Sequence, residues 1–153
     1  MIIAFFGHRN LFGRMNLFEI VKETILSNIK SSEPVKFYCG GYGDFDNLCT
    51  SVCKSIKESI KCEIVFITPY ITENQQRKIN VLINDKLYDY SLYPPIEKTP
   101  LKFAISKRNK WIVNEADLII AYVSRNYGGA YSALKYAEKL KKKIINLAKT
   151  DFK

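Results

Sequence analysis

Short apolar runs alternate with apolar stripes of helical spacing along the whole chain. Ile2 to Phe6 is continuously apolar, as a strand buried on both faces would be. Leu17, Ile20, Val21, Ile25 and Ile29 then recur at helical spacing, with Asn16 and Glu19 placed as a capping box in which Asn replaces the usual Ser or Thr. Pro34 separates this helix from a strand over Val35 to Cys39. Glycines follow, and a helix opens near Asp44 with Leu48, Val52, Ile56 and Ile60 as its apolar stripe. Glu63 to Thr68 reads as a third strand, stopped by Pro69. Thr72 and Gln75 cap a helix reaching about Asp85, with Ile79, Leu82 and Ile83 inward, and Asp89 to Tyr93 suits a short edge strand. Residues 70–99 as a whole leave room for a lid or an insertion. Thr99-Pro100 starts a helix carrying Leu101, Ile105, Trp111 and Ile112, which ends before Asp117. Leu118 to Val123 is the next strand, a second glycine turn leads into a helix with Ala130, Ala133 and Ala137, and Lys143 to Leu147 is the last strand.

Such alternation predicts one α/β domain over 1–153: a Rossmann-like parallel sheet of five to six strands with helices on both faces. Ligands of such sheets sit beyond the carboxyl ends of the strands, where the strand order reverses. Three polar loops fall at carboxyl ends: Gly7-His8-Arg9-Asn10, the turn from Gly40 to Asp46, and Ser124 to Ala130. Their convergence predicts a cleft faced by two glycine-bearing helix starts, whose amides suit a phosphate.

Composition narrows the class. Among 153 residues, 47% are hydrophobic and 25% charged, ordinary for a soluble globular chain, and no apolar run approaches a membrane span. The apolar start is cut by Gly7-His8-Arg9 and lacks a basic leader and a cleavage site, so a cytoplasmic protein is expected. Cys39, Cys49, Cys53 and Cys62 contain no C-x-x-C pair and His8 is the sole histidine, so the cysteines read as buried reduced thiols rather than a zinc site. A formal charge of +9 favours anionic partners. Lys135, Lys139, Lys141, Lys142 and Lys143 supply much of it and read as a solvated helix face.

Each candidate has two readings. His8 is either a hydrogen-bonded structural residue or a phosphate or base contact. Arg9 suits bidentate phosphate contact, or pairs with Asp44 or Asp46. Asp44 and Asp46 would repel phosphate unless they cap the helix, hold a metal or bind ribose hydroxyls. No cofactor is required, and a magnesium site is not defined by these two carboxylates alone. Arg108 and Asn109 lie on the surface of their helix or face the cleft. Tyr122 stacks on a base or fills the core. Gly128 and Gly129 allow close ligand approach, or turn the chain into a tightly packed helix.

Gly7-His8-Arg9, Gly40-Gly41-x-Gly43-Asp44-Phe45-Asp46, Arg108-Asn109, Asp117-x-x-Ile120-x-Tyr122 and Gly128-Gly129-Ala130 occur in that order. The combination resembles the SLOG superfamily of Rossmann-like nucleotide-binding domains, and within it the YpsA-like branch. The superfamily includes cytokinin-activating phosphoribohydrolases, the DNA-processing protein A family that loads single-stranded DNA, and sensor domains for NAD-derived signals in antiphage effectors. The resemblance therefore implies a nucleotide or nucleotide-derived ligand, sensed or sequestered, and a tendency to self-associate. Exposed tyrosines and the segment Ile79 to Leu87 are the candidate surface for a homo-oligomer. The phosphoribohydrolase motif Pro-Gly-Gly-x-Gly-Thr-x-x-Glu departs here to Tyr127-Gly128-Gly129-Ala130-Tyr131-Ser132-Ala133-Leu134-Lys135, with Lys135 where the catalytic Glu would stand. N-glycosidic hydrolysis or transfer would then fall to Asp44 or Asp46, so binding and catalysis both stay open. Single-stranded nucleic acid is a third reading, motivated by the net charge and ten tyrosines.

Overall fold

The computed structural model describes residues 1–11, 16–30 and 32–148. They form β1 (Ile2–Gly7), α1 (Leu17–Asn28), β2 (Val35–Cys39), α2 (Asp44–Ile56), β3 (Cys62–Ile67), α3 (Glu73–Asn84), β4 (Tyr90–Leu92), α4 (Ala104–Glu115), β5 (Leu118–Tyr122), α5 (Gly129–Lys139) and β6 (Lys143–Asn146). The six strands make one sheet in the order β4-β3-β2-β1-β5-β6, every pair parallel. The order reverses between β1 and β5, so the chain has the expected Rossmann-like α/β architecture with its switch point there.

Alternation along β1 divides the core. Ile3 and Phe5 pack with Val21, Ile25, Phe45, Val52 and Ile79, beneath α1, α2 and α3. Ala4 and Phe6 pack with Ile112, Val113, Ala133 and Ala137, beneath α4 and α5. Both faces of β1 and β5 are covered, which is why these two strands are apolar without a break, whereas β2 carries the exposed Lys36. All four cysteines are buried free thiols.

Local signals mostly hold. Thr72 accepts the Gln75 amide at 3.3 Å and caps α3. Asn16 does not complete a capping box: it sits at φ 68° and its side chain makes no cap bond. Pro100 starts a 3-10 turn, Leu101–Phe103, and α4 begins only at Ala104, which leaves Leu101 exposed rather than inward. The segment 70–99 supplies α3 and the edge strand β4, which pairs with β3. Ile79, Leu82 and Ile83 pack into the core, so that part of the expected oligomer surface is turned inward while Val81 stays exposed. No helix among the described residues is long and apolar enough to cross a membrane.

Asp117 locks the switch point. Its carboxylate accepts the Ile2 amide at 2.7 Å, and its own amide donates to the Ile2 carbonyl at 2.8 Å. At the far end of β1, Gly7 lies against the fully buried Phe45 ring of α2, and a Cβ there would collide with it. Gly7→Ala is therefore expected to lose about 1–3 kcal/mol in urea unfolding through overpacking. Part of the loss should return in Gly7→Ala/Phe45→Leu, and strict additivity of the two changes would refute this contact as its cause.

Candidate site: a cationic cleft at the switch point

The end of β1, the loops after β1, β2 and β5, one face of α4 from Ile105 to Ile112 and the first turn of α5 enclose a cleft of about 390 Å³. Of the residues singled out from sequence, Gly7, His8, Arg9, Gly40, Asp46, Arg108, Asn109, Gly128, Gly129 and Ala130 line it. Gly41, Gly43, Asp44 and Tyr122 do not. Tyr122 faces the other side of the sheet, its ring 6.0 Å from that of Phe45. Gly41 and Gly43 serve the backbone: their φ values are 72° and 103°, and a Cβ on Gly43 would meet the Arg9 Cα at 2.7 Å.

The two helix starts divide their work. At α2 the Asp44 amide is already bound to the Arg9 carbonyl at 2.8 Å, and the Asp44 carboxylate accepts the Leu11 amide at 3.0 Å. The first amide of this start is therefore taken by the β1 loop, and neither Gly43 nor Asp44 lines the cleft. At α5 no side chain caps the helix, and its first backbone bond runs from the Ser132 amide to the Gly128 carbonyl. The amides of Gly129, Ala130 and Tyr131 have no intrahelical acceptor. A Cβ on Gly128 or Gly129 would meet nothing within 4 Å. Tight packing therefore does not explain these glycines, although Gly128 also needs its φ of 96°.

Arg108 is the floor. It is 3% exposed, and its Nη1 donates to the Gly40 carbonyl at 3.1 Å and the Ile67 carbonyl at 2.8 Å. Its Nε donates to the Asn109 side-chain oxygen at 3.1 Å, and its guanidinium lies 5.5 Å from the centre of the Tyr42 ring. Burial lowers its pKa and the charge of Asp46 opposes that shift, but an arginine stays cationic throughout. Asp46, half-buried beside it, accepts the Tyr42 amide at 3.1 Å. Desolvation pushes its carboxyl up to about 6 against the pull of the Tyr42 amide, Arg108 and Arg9.

His8 is buried, and its Nε2 accepts the Ser124 amide at 2.8 Å and the Arg125 amide at 3.3 Å. The ring proton is therefore on Nδ1, and burial, helped by Arg125, holds the pKa below the ordinary histidine value. His8 is thus the peg that sets the β5–α5 loop. Among the described ion pairs none joins Arg9 to Asp44 or Asp46, and Arg9 is left to the cleft. Sequence reasoning missed Arg125, Tyr127 and Tyr42 in this lining. An arginine just past the end of β5 carries the same signal that marked Arg9. The C-terminal lysines serve elsewhere: Lys142 donates to the Asn114 and Ala116 carbonyls at 2.8 and 3.1 Å, and Lys135 pairs with Glu138 at 3.1 Å outside the cleft. Among the described residues no cluster of three or more His, Cys, Asp or Glu is placed to hold a metal ion.

No family model matches the chain, and no curated protein matches it in sequence. Among solved structures it is similar to DNA processing protein A from Helicobacter pylori, with a TM-score of 0.61 and 15% identity over 94% of this chain and 63% of that one. That protein is reported to have a unique single-stranded DNA binding mode. It is also similar to DNA processing protein A from Streptococcus pneumoniae, with a TM-score of 0.61 and 12% identity over 93% of this chain and 48% of that one. The likeness is one of fold, the Rossmann-like class that the SLOG resemblance implies, and the chain spans less than two thirds of either neighbour.

Asp46 gives the site a pH signature. Below pH 4 its carboxyl is protonated in both folded and unfolded chains and contributes nothing. Between about pH 4 and 6 the folded chain keeps a proton that the unfolded chain releases, so stability falls as pH rises. The rise from the ordinary aspartate value to about 6 costs the folded chain about 3 kcal/mol at most. Asp46→Asn, which keeps an acceptor for the Tyr42 amide, should be more stable than wild type by about 1–3 kcal/mol at pH 8. Denaturant unfolding across pH should show that gap closing by pH 4; a constant gap would contradict the raised pKa.

Proposed function

We propose that the cleft binds the phosphodiester backbone of a single-stranded nucleic acid, with one phosphate on the open start of α5. One observation carries this reading: three arginines, Arg9, Arg108 and Arg125, line the same cleft as an uncapped helix N-terminus whose glycines have no packing role. Backbone amides and the helix dipole favour an anion there. Arginine forks suit phosphate oxygens. The report of single-stranded DNA binding by a neighbour of the same fold supports the choice of ligand. The net charge of +9 would steer such a polymer.

A fluorescently labelled oligothymidine titrated at several salt concentrations tests it. The affinity should fall steeply with salt. Arg9→Gln and Arg125→Gln should each weaken binding and lower the salt slope by about one. Gly129→Glu should abolish binding while melting normally, because a side chain at that position meets no neighbour. Binding that ignores salt and all three variants would overturn the proposal.

A second reading is favoured by the volume and by Asp46. About 390 Å³ suits one nucleotide, and the carboxyl that lines the cleft can accept ribose hydroxyls. Under this reading the chain senses or sequesters a free nucleotide-derived signal, as the SLOG resemblance implies. Its catalytic version rests on Asp46 alone, since Asp44 does not line the cleft and Lys135 stands where the phosphoribohydrolase Glu would be. Calorimetry should then show ribonucleotides binding more tightly than their 2′-deoxy counterparts, with the preference lost in Asp46→Asn. Free base released from a nucleoside monophosphate by wild type but not by Asp46→Asn would establish cleavage. Equal release by both proteins would eliminate it.

A further inference from the structure

Tyr127 is 61% exposed at the mouth of the cleft, the most exposed large aromatic side chain among the described residues. The fold leaves it with a single described partner. The Arg125 guanidinium lies 5.2 Å from the ring centre, and its Nη1 meets the Tyr127 hydroxyl at 3.3 Å. Apart from this contact the side chain is largely open to solvent.

The base of this arm is fixed although its tip is not buried. His8 Nε2 holds the Ser124 and Arg125 amides. Gly128 and Gly129 follow Tyr127 directly, and the space beside them is empty. The ring is therefore carried by an anchored turn immediately before the free amides of α5. A large aromatic ring kept in water beside a cationic cleft adds little to stability, but it offers a planar surface. Bases of single strands stack on such rings whatever their identity, and a guanidinium on the far face strengthens the platform.

We propose that Arg125 and Tyr127 form a stacking clamp for one unpaired nucleobase, next to the phosphate held at the start of α5. This rests on the nucleic-acid reading given above and adds the place where a base is gripped. The clamp reads no base edge, so it accepts any base. Its partner is a strand with unstacked bases; a duplex keeps its bases from the ring.

The test uses the full chain with Tyr127→Ala, Tyr127→Phe and Tyr127→Trp, titrated with an oligothymidine and with an otherwise identical strand of abasic sites. Tyr127→Ala should weaken binding of the oligothymidine roughly tenfold, with the salt slope unchanged. Tyr127→Phe and Tyr127→Trp should retain most of the affinity. The abasic strand should bind wild type and Tyr127→Ala equally. The clamp is overturned if Tyr127→Ala binds oligothymidine like wild type, if Tyr127→Phe loses as much as Tyr127→Ala, or if the abasic strand is weakened by the same factor. In those cases Arg9→Gln and Gly129→Glu still report on the underlying reading, because they act on abasic and normal strands alike. A wild-type protein that binds neither strand overturns both.

Discussion

A cation enclosed by protein on nearly every side has to find its hydration elsewhere, and in this chain it finds it in main-chain carbonyls. Arg108 reaches from α4 to the ends of β2 and β3 and donates to the carbonyls of Gly40 and Ile67. Gly40 leaves room for this packing, since a Cβ there would come within 3.2 Å of the guanidinium and Arg108 would have to yield by a few tenths of an ångström. Tyr42 shields the charge with its ring, and Asp46 balances it without touching it closely enough to count as an ion pair. The same group that ties a helix to two strands thus sets the polarity of the cleft floor. A neutral side chain of similar shape would leave two carbonyl ends without donors and Asp46 without a counter-charge, so structure and chemistry are inseparable at this position.

The acidic glycine turn looked contradictory as a phosphate site because it places two carboxylates where an anion should go. The contradiction disappears once each carboxylate has its partner. Asp44 holds the Leu11 amide, and Asp46 holds the Tyr42 amide. Both bind loop backbone, and the first amide of the α2 start they decorate is already taken by the Arg9 carbonyl. The proposed anion-binding role falls to the plainer second turn, where the helix begins with Gly129 and Ala130 and carries no acid in its first turn.

The architecture was legible because it is written in periodicity. The unbroken apolar run at Ile2–Phe6 and the alternation of such runs with helical stripes determine a parallel sheet, and the elements follow within a few residues. The site was legible to the extent that it depends on topology: loops after β1, β2 and β5 meet because the strand order reverses between β1 and β5. What could not be read was the direction of individual side chains. Gly41, Gly43 and Tyr122 belong to the same motifs as the lining residues, yet strand pleat and turn geometry point them away. Arg125 carries the strand-end signal that marked Arg9, but its aim depends on a hydrogen bond from its own amide to His8, more than a hundred residues earlier in the chain, which no local pattern encodes. Pro100 misled because a proline is as much at home ahead of a 3-10 turn as at the first position of an α-helix.

The two bonds between Ile2 and Asp117 also have a kinetic side. They join positions 115 residues apart, and the strand they fasten, β1, lies at the middle of the sheet. On a ribosome adding about 5–20 residues per second, β1 waits roughly 6–23 seconds for β5 to be synthesised. Throughout that interval one edge of an entirely apolar strand is without its partner, although β2 becomes available early to cover the other. Open apolar edges recruit other chains, and parallel pairings of long sequence separation close slowly. The most protected strand of the finished protein is thus the one most exposed to association while it is being made.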